Sequence, residues 1–263
     1  MTTAPSELGI DLMSGAFFGG DPYPAFAWMR RHAPVYYDEP NDLWAVARYA
    51  DIKAVSTDTA TYSNANGIRP KFPPLPMMIE FDAPEHVRRR RLVSAGFTPR
   101  QVRGMEGHVR AICDDILDAV CEKGSCDFVA DIAAPLPLAV IGDMLGVAPG
   151  DRADLLRWSE DMLGSQGSLE PAAIERAATA FVEYNDYIHR VFDDRRARGS
   201  TDDLVGILCH AEVEGDRLDD PSLVHETLLI LIGGDETTRH VLSGGMHALA
   251  TNPDQWALLV ADG

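Results

Sequence analysis

Long apolar runs, a signal peptide and an excess of positive charge are all missing from this 263-residue sequence. The most apolar stretch, residues 130–147, is interrupted by Asp131, Pro135, Pro137 and Asp143. A membrane-spanning helix needs about 20 nearly uninterrupted apolar residues. The N-terminus has no basic segment followed by an apolar one, which a signal peptide requires. We therefore expect no membrane span and predict a cytoplasmic protein.

The scarcity of basic residues and cysteines excludes further classes of protein. Lys and Arg together number 23 against 41 Asp and Glu, so the formal net charge is −18 and nucleic acid is not an expected partner. Four cysteines without a CxxC pair predict reduced thiols rather than a disulfide scaffold: Cys113, Cys121, Cys126 and Cys209. The sequence contains no P-loop, no dinucleotide-binding glycine fingerprint and no GxSxG elbow. His225-Glu226 lacks the second histidine of a zinc-protease helix, so no metal site is predicted from these residues.

Helical patterns dominate what the sequence does contain. The predicted helices cover residues 22–32, 49–58, 84–95, 99–122, 136–145, 151–163, 170–198, 203–212 and 220–251, and another begins at Asn252-Pro253. A β-hairpin is predicted from residues 34–37 and 43–47, and a short strand from residues 126–129. We therefore predict a mainly α fold with a minor β part.

The segment between Ser63 and Asp82 carries four prolines, which exclude a regular helix. It nevertheless holds many apolar side chains, Leu75, Met77 and Met78 among them. A long loop with so much apolar surface packs against something. Two interpretations stay open: a lid over a pocket, or a loop lying on the core.

A run of glycine and polar residues, GGDETT at 233–238, interrupts the long predicted helix, for which Asp220 is the predicted N-cap and Pro221 the first helical residue. In one interpretation the helix ends at Gly233, and Asp235 caps a second helix. In the other, the helix is distorted and the missing side chains let a ligand approach its backbone. Glu236 and Thr237 would then supply a carboxylate and a hydroxyl for proton transfer.

A basic segment, residues 85–103, stands out in this acidic sequence because it holds six arginines and one acid. His86 and Arg90 lie four residues apart, so on a helix they share one face and could hold a carboxylate or a phosphate. A solvated basic helix is the alternative. Four of the arginines suggest a docking site for an acidic protein: Arg88, Arg91, Arg100 and Arg103.

Several segments, taken in this order, resemble the bacterial cytochromes P450, which are haem-thiolate monooxygenases. Residues 81–99 (FDAPEHVRRRRLVSAGFTP) resemble the family's C-helix signature, and residues 228–239 (LLILIGGDETTR) resemble its central I-helix. Residues 127–147 are similar to its E-helix region, and residues 62–64 match the end of its B-helix segment. The resemblance predicts a cytochrome P450 fold truncated after the I and J helices, with residues 1–263 forming the N-terminal two thirds of a single domain.

This resemblance implies a cofactor and partners. The cofactor is heme b (iron protoporphyrin IX), and electrons come from NAD(P)H through a ferredoxin-type donor and its reductase. By the same resemblance His86 and Arg90 pair with the haem propionates, and Gly233-Gly234 lies over the haem face. Glu236-Thr237 matches the acid–alcohol pair that relays protons to dioxygen on the iron.

The substrate contacts are implied in the same way. Leu229 and Ile232 fall where I-helix residues meet substrate, and Leu75, Met77 and Met78 lie in the first substrate-recognition segment. At finer grain the sequence resembles actinobacterial members that oxidise the terminal methyl of sterol side chains. The implied reaction inserts one oxygen atom of O2 into an apolar substrate.

The family's ExxR helix and its cysteine-containing haem loop are not found in this sequence. None of the four cysteines lies in the glycine-rich context of that loop, so the axial ligand is expected beyond the chain end. We therefore expect an N-terminal fragment that is inactive alone. The alternative is a catalytically inert helical domain that binds an apolar ligand or a protein partner.

Overall fold

The structure is a computed structural model that describes residues 4–165, 170–199 and 203–262. The chain forms two compact units, residues 1–87 and residues 88–263. In the described ranges, no helix is long and apolar enough to cross a membrane.

The first unit combines short helices with one β-hairpin. Its elements are α1 (Gly15–Gly19), α2 (Tyr23–His32), β1 (Val35–Asp38), β2 (Leu43–Val46) and α3 (Tyr49–Thr57). The strands pair antiparallel, with Val35 opposite Val46 and Asp38 opposite Leu43, which confirms the predicted hairpin. The helix predicted from Pro22 begins one residue later, where the Asp21 carboxylate accepts the N–H of Tyr23 at 3.2 Å.

The second unit is helical. Its first helix begins at Glu85, three residues before the unit itself begins at Arg88. Its elements are α4 (Glu85–Ser94), α5 (Pro99–Gly104), α6 (Glu106–Cys121), α7 (Pro135–Met144), α8 (Arg152–Gly164), α9 (Pro171–Arg198), α10 (Leu204–His210), α11 (Asp220–Thr251) and α12 (Pro253–Asp262). The predicted mainly α composition is confirmed. Trp256, Leu258, Leu259 and Val260 of α12 are exposed.

Three local predictions are wrong. The single helix predicted over residues 99–122 is divided into α5 and α6 at Met105. The strand predicted over residues 126–129 is a π-helical turn, Phe128–Ala133, because the Asp127 carboxylate accepts the first N–H groups of that turn at 3.0 Å. The cap of α11 is Asp219, which accepts the N–H of Ser222 at 2.9 Å, and not Asp220.

The core of the second unit lies between α8, α9 and α11. Tyr184, Ile188 and Phe192 follow one another at four-residue spacing on α9, so they form one fully buried stripe. The hydroxyl of Tyr184 donates to Oγ1 of Thr227 on α11 at 2.9 Å, which satisfies a polar group deep in the core. This packing places the N-terminal half of α11 inside the unit.

Helix α11 packs closely against α7 at Gly234. A Cβ atom on Gly234 would lie 2.9 Å from Cδ1 of Ile141, whereas a Cβ on Gly233 would meet nothing within 4 Å. Gly234 is therefore explained by helix packing. Helix packing does not explain Gly233, because in the described residues no atom beyond its own stretch of α11 lies within 4 Å of the position that its Cβ would occupy.

Replacing each glycine by alanine should separate these two roles. Alanine favours a helix interior over glycine by about 1 kcal/mol, so Gly233→Ala should stabilise the unit by up to about that amount. In Gly234→Ala, the new methyl must displace buried Ile141, and overpacking of this kind costs about 1–3 kcal/mol. We expect Gly234→Ala to unfold at lower denaturant concentration than Gly233→Ala. Equal midpoints would contradict this packing.

Candidate active site

The glycine and polar run lies inside one continuous helix. Helix α11 comprises 32 residues, so it is about 48 Å long and crosses the second unit. The interpretation in which the helix ends at Gly233 and restarts at Asp235 is wrong. The glycines therefore act by lacking side chains, not by breaking the helix, and the bare surface at Gly233 leaves room beside the backbone.

Thr237 and Glu236 follow that bare surface by one turn. Thr237 is exposed, and its hydroxyl donates to the carbonyl of Gly233 at 2.5 Å. Because a hydroxyl has a single hydrogen and two lone pairs, Oγ1 of Thr237 is left to accept a further hydrogen bond. The Glu236 carboxylate lies 3.5 Å from the guanidinium of Arg239.

Arg239 links this carboxylate to another helix. Its second terminal nitrogen lies 3.3 Å from Oε1 of Glu160 on α8, whose side chain is 54% exposed. Ion pairs thus extend from Glu236, the sequence neighbour of Thr237, through Arg239 to a carboxylate in contact with solvent. Nε2 of His240 lies 3.8 Å from the same Glu236 oxygen.

The apolar residues before the glycines divide into two faces of α11. Leu228 and Leu231 are buried in the core, whereas Leu229 and Ile232 are only half-buried. The two residues predicted to meet substrate therefore lie on the less covered face. A charged cavity of about 340 Å³ next to α8 and α9 includes Arg157, so it does not suit an apolar ligand.

Asp235 was not among the predicted site residues, yet it is the most buried member of the run at 1% exposure. Its Oδ2 lies 3.4 Å from the hydroxyl of Ser159 on α8. Burial raises the pKa of the Asp235 carboxyl above its usual range. The sequence offered one signal, since an aspartate in an apolar helix is costly unless the fold compensates it.

In the first unit, His86 forms a hydrogen bond with the proline-rich loop, which is the segment between Ser63 and Asp82. Its Nδ1 lies 2.9 Å from the carbonyl of Met78, so Nδ1 carries the hydrogen of that bond. The other ring nitrogen, Nε2, can then donate only when the ring is protonated. Binding of His86 to an anion therefore requires the imidazolium form.

The loop that carries the remaining predicted residues is held at several points within the first unit. Met77 is buried, Met78 is half-buried and Leu75 is 39% exposed. The N–H of Leu75 donates to the buried carboxylate of Glu80 at 2.7 Å. The part of the loop near Met77 is therefore buried and held by Glu80, and the lid interpretation stays open for the more exposed residues before it.

The four consecutive arginines of α4 have different environments. Arg90, the predicted cofactor contact, is exposed and makes no ion pair within the described residues. Arg89 was missed: it is buried, and its Nη1 lies 3.1 Å from Oε1 of Glu226, a fully buried residue of α11. Arg88, predicted as a free surface charge, is instead bound to Asp216 and donates to the carbonyl of Arg217 at 2.9 Å.

None of the four cysteines is disulfide-bonded. Burial raises the pKa of the Cys209 thiol to about 11, so this group is protonated at neutral pH. Within residues 4–165, 170–199 and 203–262, no cluster of three His, Cys, Asp or Glu side chains is arranged to hold a metal ion.

Solved structures with this arrangement of helices are cytochromes P450. A cytochrome P450 from Chondromyces apiculatus matches with a TM-score of 0.82 at 32% identity, over 96% of this chain and 64% of that chain. No protein-family model matches the sequence. The predicted fold class is confirmed: over the part that it spans, the chain has the mainly helical cytochrome P450 fold.

Relatives in sequence are more specific. A protein of Mycobacterium tuberculosis named steroid C26-monooxygenase is 50% identical over 266 residues, which cover 100% of this chain and 65% of the relative. A steroid C26-monooxygenase of Mycolicibacterium smegmatis is 47% identical over 264 residues, again covering 65% of the relative. The chain thus spans about 65% of the length of these relatives. The resemblance to cytochromes P450 and to steroid-oxidising members is confirmed.

The buried pair between Arg89 and Glu226 yields a stability prediction. Arg89→Met should cost about 3–5 kcal/mol, because it leaves the Glu226 carboxylate buried without this cation. The double variant Arg89→Met/Glu226→Met should recover most of that loss, since apolar side chains replace both charges. Arg91→Met, on the exposed neighbour, should stay within about 0.5 kcal/mol of the parent in denaturant unfolding. Equal stabilities of the Arg89 and Arg91 variants would show that the pair is not a structural constraint.

Proposed function

We propose that the protein containing this chain is a haem-thiolate monooxygenase that inserts one atom of dioxygen into an apolar substrate, the terminal methyl of a steroid side chain. One observation carries the proposal: on α11, bare Gly233 lies one turn before an exposed hydroxyl and a carboxylate, Thr237 and Glu236. The names of the relatives support the steroid substrate. The single-domain organisation and the cytoplasmic location remain predictions from the sequence.

The residues of this chain fit a haem. Within the second unit, Arg90 is an exposed cation that suits a propionate, because an arginine donates charge-assisted hydrogen bonds to a carboxylate. At Gly233 no side chain occupies the space that a planar ring and a diatomic ligand need. When bound, heme b supplies the iron that activates dioxygen. We infer that its thiolate ligand comes from outside this chain, since none of the four cysteines lies in the glycine-rich loop context of the family's haem ligand.

The proposed role of Thr237 and Glu236 is to deliver protons to the oxygen that reacts beside Gly233. Thr237 gives its own hydrogen to the Gly233 carbonyl, so its oxygen is oriented to accept a hydrogen bond from a ligand beside the bare surface. Glu236 is the adjacent proton carrier, and Arg239 orients it through an ion pair that also includes Glu160 at the surface. Carboxylates serve such transfers when they lie within reach of the group that is protonated.

The other predicted contacts have supporting roles. Leu229 and Ile232 offer half-buried apolar surface for the substrate. In the first unit, Leu75, Met77 and Met78 are the proposed substrate contacts of the loop. His86, as the imidazolium, is the second proposed propionate partner, since its Nε2 is left to donate.

Thr237→Ala tests the proton role in the whole protein with its redox partners. The variant should keep haem and substrate binding but lose most product formed per NAD(P)H consumed, because two electrons and two protons then convert dioxygen to hydrogen peroxide. Product and peroxide are both measured. The reduced carbon monoxide spectrum should show thiolate-ligated haem in parent and variant alike. Unchanged coupling would mean that Thr237 is structural, and a parent without that spectrum would refute the proposed function.

We further propose that an acidic ferredoxin-type donor, supplied with electrons by its reductase, docks on the exposed arginines of the basic segment, which are Arg91, Arg100 and Arg103. Opposite charges accelerate the encounter of two proteins, and salt screens them.

Charge reversal of these arginines should therefore lower the electron-transfer rate at low salt by about tenfold or more, and the loss should shrink as ionic strength rises. Lys123→Glu, which makes the change of charge of a single such reversal on an exposed residue outside the basic segment, should have little effect when compared with each arginine reversed alone. A flat salt profile for the parent protein would rule out this docking site.

A further inference from the structure

Asp235 is a buried carboxyl group with too few partners for a charge. It lies on α11 immediately before Glu236, and it is 1% exposed. Its Oδ2 is 3.4 Å from the Ser159 hydroxyl on α8, and its Oδ1 has no hydrogen-bond partner among the described residues. An ionised carboxylate is costly to bury unless several hydrogen bonds or a close cation compensate it.

The hydroxyl of Ser159 indicates which group carries the hydrogen between them. A serine hydroxyl has one hydrogen to donate. The oxygen of Ser159 lies 3.0 Å from the carbonyl of Leu156, closer than it lies to Asp235. When Ser159 donates to that carbonyl, it offers only a lone pair to Asp235. A hydrogen bond between the two side chains then requires the hydrogen to be on Asp235.

The charged groups that face Asp235 act on it in opposite directions. Arg239, one turn further along α11, is shared between Glu160 of α8 at 3.3 Å and Glu236 at 3.5 Å. One guanidinium thus serves three carboxyl groups. Burial is the largest influence and raises the pKa of Asp235, with smaller contributions of the same sign from Glu160 and Glu236, whereas Arg239 opposes it, as would a hydrogen bond in which Ser159 is the donor.

We propose that Asp235 is protonated in the folded protein at neutral pH and donates to Ser159, so that a neutral carboxylic acid fastens α8 to α11 beside Glu236. Asp235 is then a positioning residue, and it is buried where its neighbour Glu236 is 32% exposed. Enzymes separate an acid from a base by giving neighbouring carboxyl groups different environments. The inference goes beyond the proposed oxygen chemistry, and its tests measure protonation, not turnover.

The pH dependence of unfolding tests the proposal with Asp235→Asn, which cannot ionise. In the unfolded chain Asp235 titrates near its ordinary pKa of about 3.9. Between that value and its higher folded pKa, the native state binds one more proton than the unfolded state, so wild-type stability falls as pH rises. Relative to Asp235→Asn, the wild-type folding constant should fall by up to about tenfold per pH unit in this range.

The measurement is denaturant unfolding of the whole protein between about pH 5 and about pH 8. Asp186→Asn serves as the matched control, because Asp186 is an exposed aspartate of α9 in the same unit. The ratio of its folding constant to that of the wild type should stay constant with pH. A ratio for Asp235→Asn that is equally constant would overturn the proposal.

Infrared spectroscopy gives a second, independent readout. The wild-type protein at neutral pH should show the C=O stretch of a protonated carboxyl, which shifts in D2O and is missing from Asp235→Asn. Ser159→Ala keeps the acid but removes its acceptor, so it should shift the same band, and this variant serves even if Asp235→Asn does not fold. No protonated-carboxyl band in the wild type, or a band unmoved by Ser159→Ala, would overturn the proposal.

Discussion

The ion pair between Arg89 and Glu226 is the constraint on which the arrangement of the second unit depends. It joins α4 to α11, the two helices of this unit that carry the proposed haem contact and the proposed proton relay. Neither charge is tolerable alone in the interior, so each side chain requires the other. The pair thus fixes the rotation of α4 about its axis. Because successive residues of a helix point about 100° apart, this rotation leaves Arg90 directed to solvent, where it is available to an anion.

Most helices of the second unit were predictable because their signals are local. Proline in the first turn and an acidic cap mark the start of α11. Apolar residues spaced four apart mark α9. Local signals also explain the errors. Asp127 caps a helical turn where Val and Phe favour a strand, since a carboxylate that accepts two N–H groups outweighs a weak strand preference.

The site was predictable only in part, for a physical reason. Glu236 and Thr237 are conspicuous because polar side chains in an apolar helix need an explanation. The choice between Arg89 and Arg90 is different: four consecutive arginines look alike, and the buried one is selected by Glu226, 137 residues further along the chain. The partner of Asp235 is likewise on another helix, α8. Tertiary contacts of this kind leave no periodic pattern in the sequence.

The contact between Gly234 and Ile141 means that the two positions share one volume between α11 and α7. A larger side chain at one position requires a smaller side chain at the other, because the interior is packed as densely as a crystal. Homologous sequences should therefore show compensating sizes at these two positions, a small residue at 141 accompanying a larger one at 234. A larger residue at 234 combined with a smaller one at 141 would move methyl groups from α7 to α11 without changing the distance between the helices. The shape of this side of α11 could then be altered while Gly233 keeps its open surface.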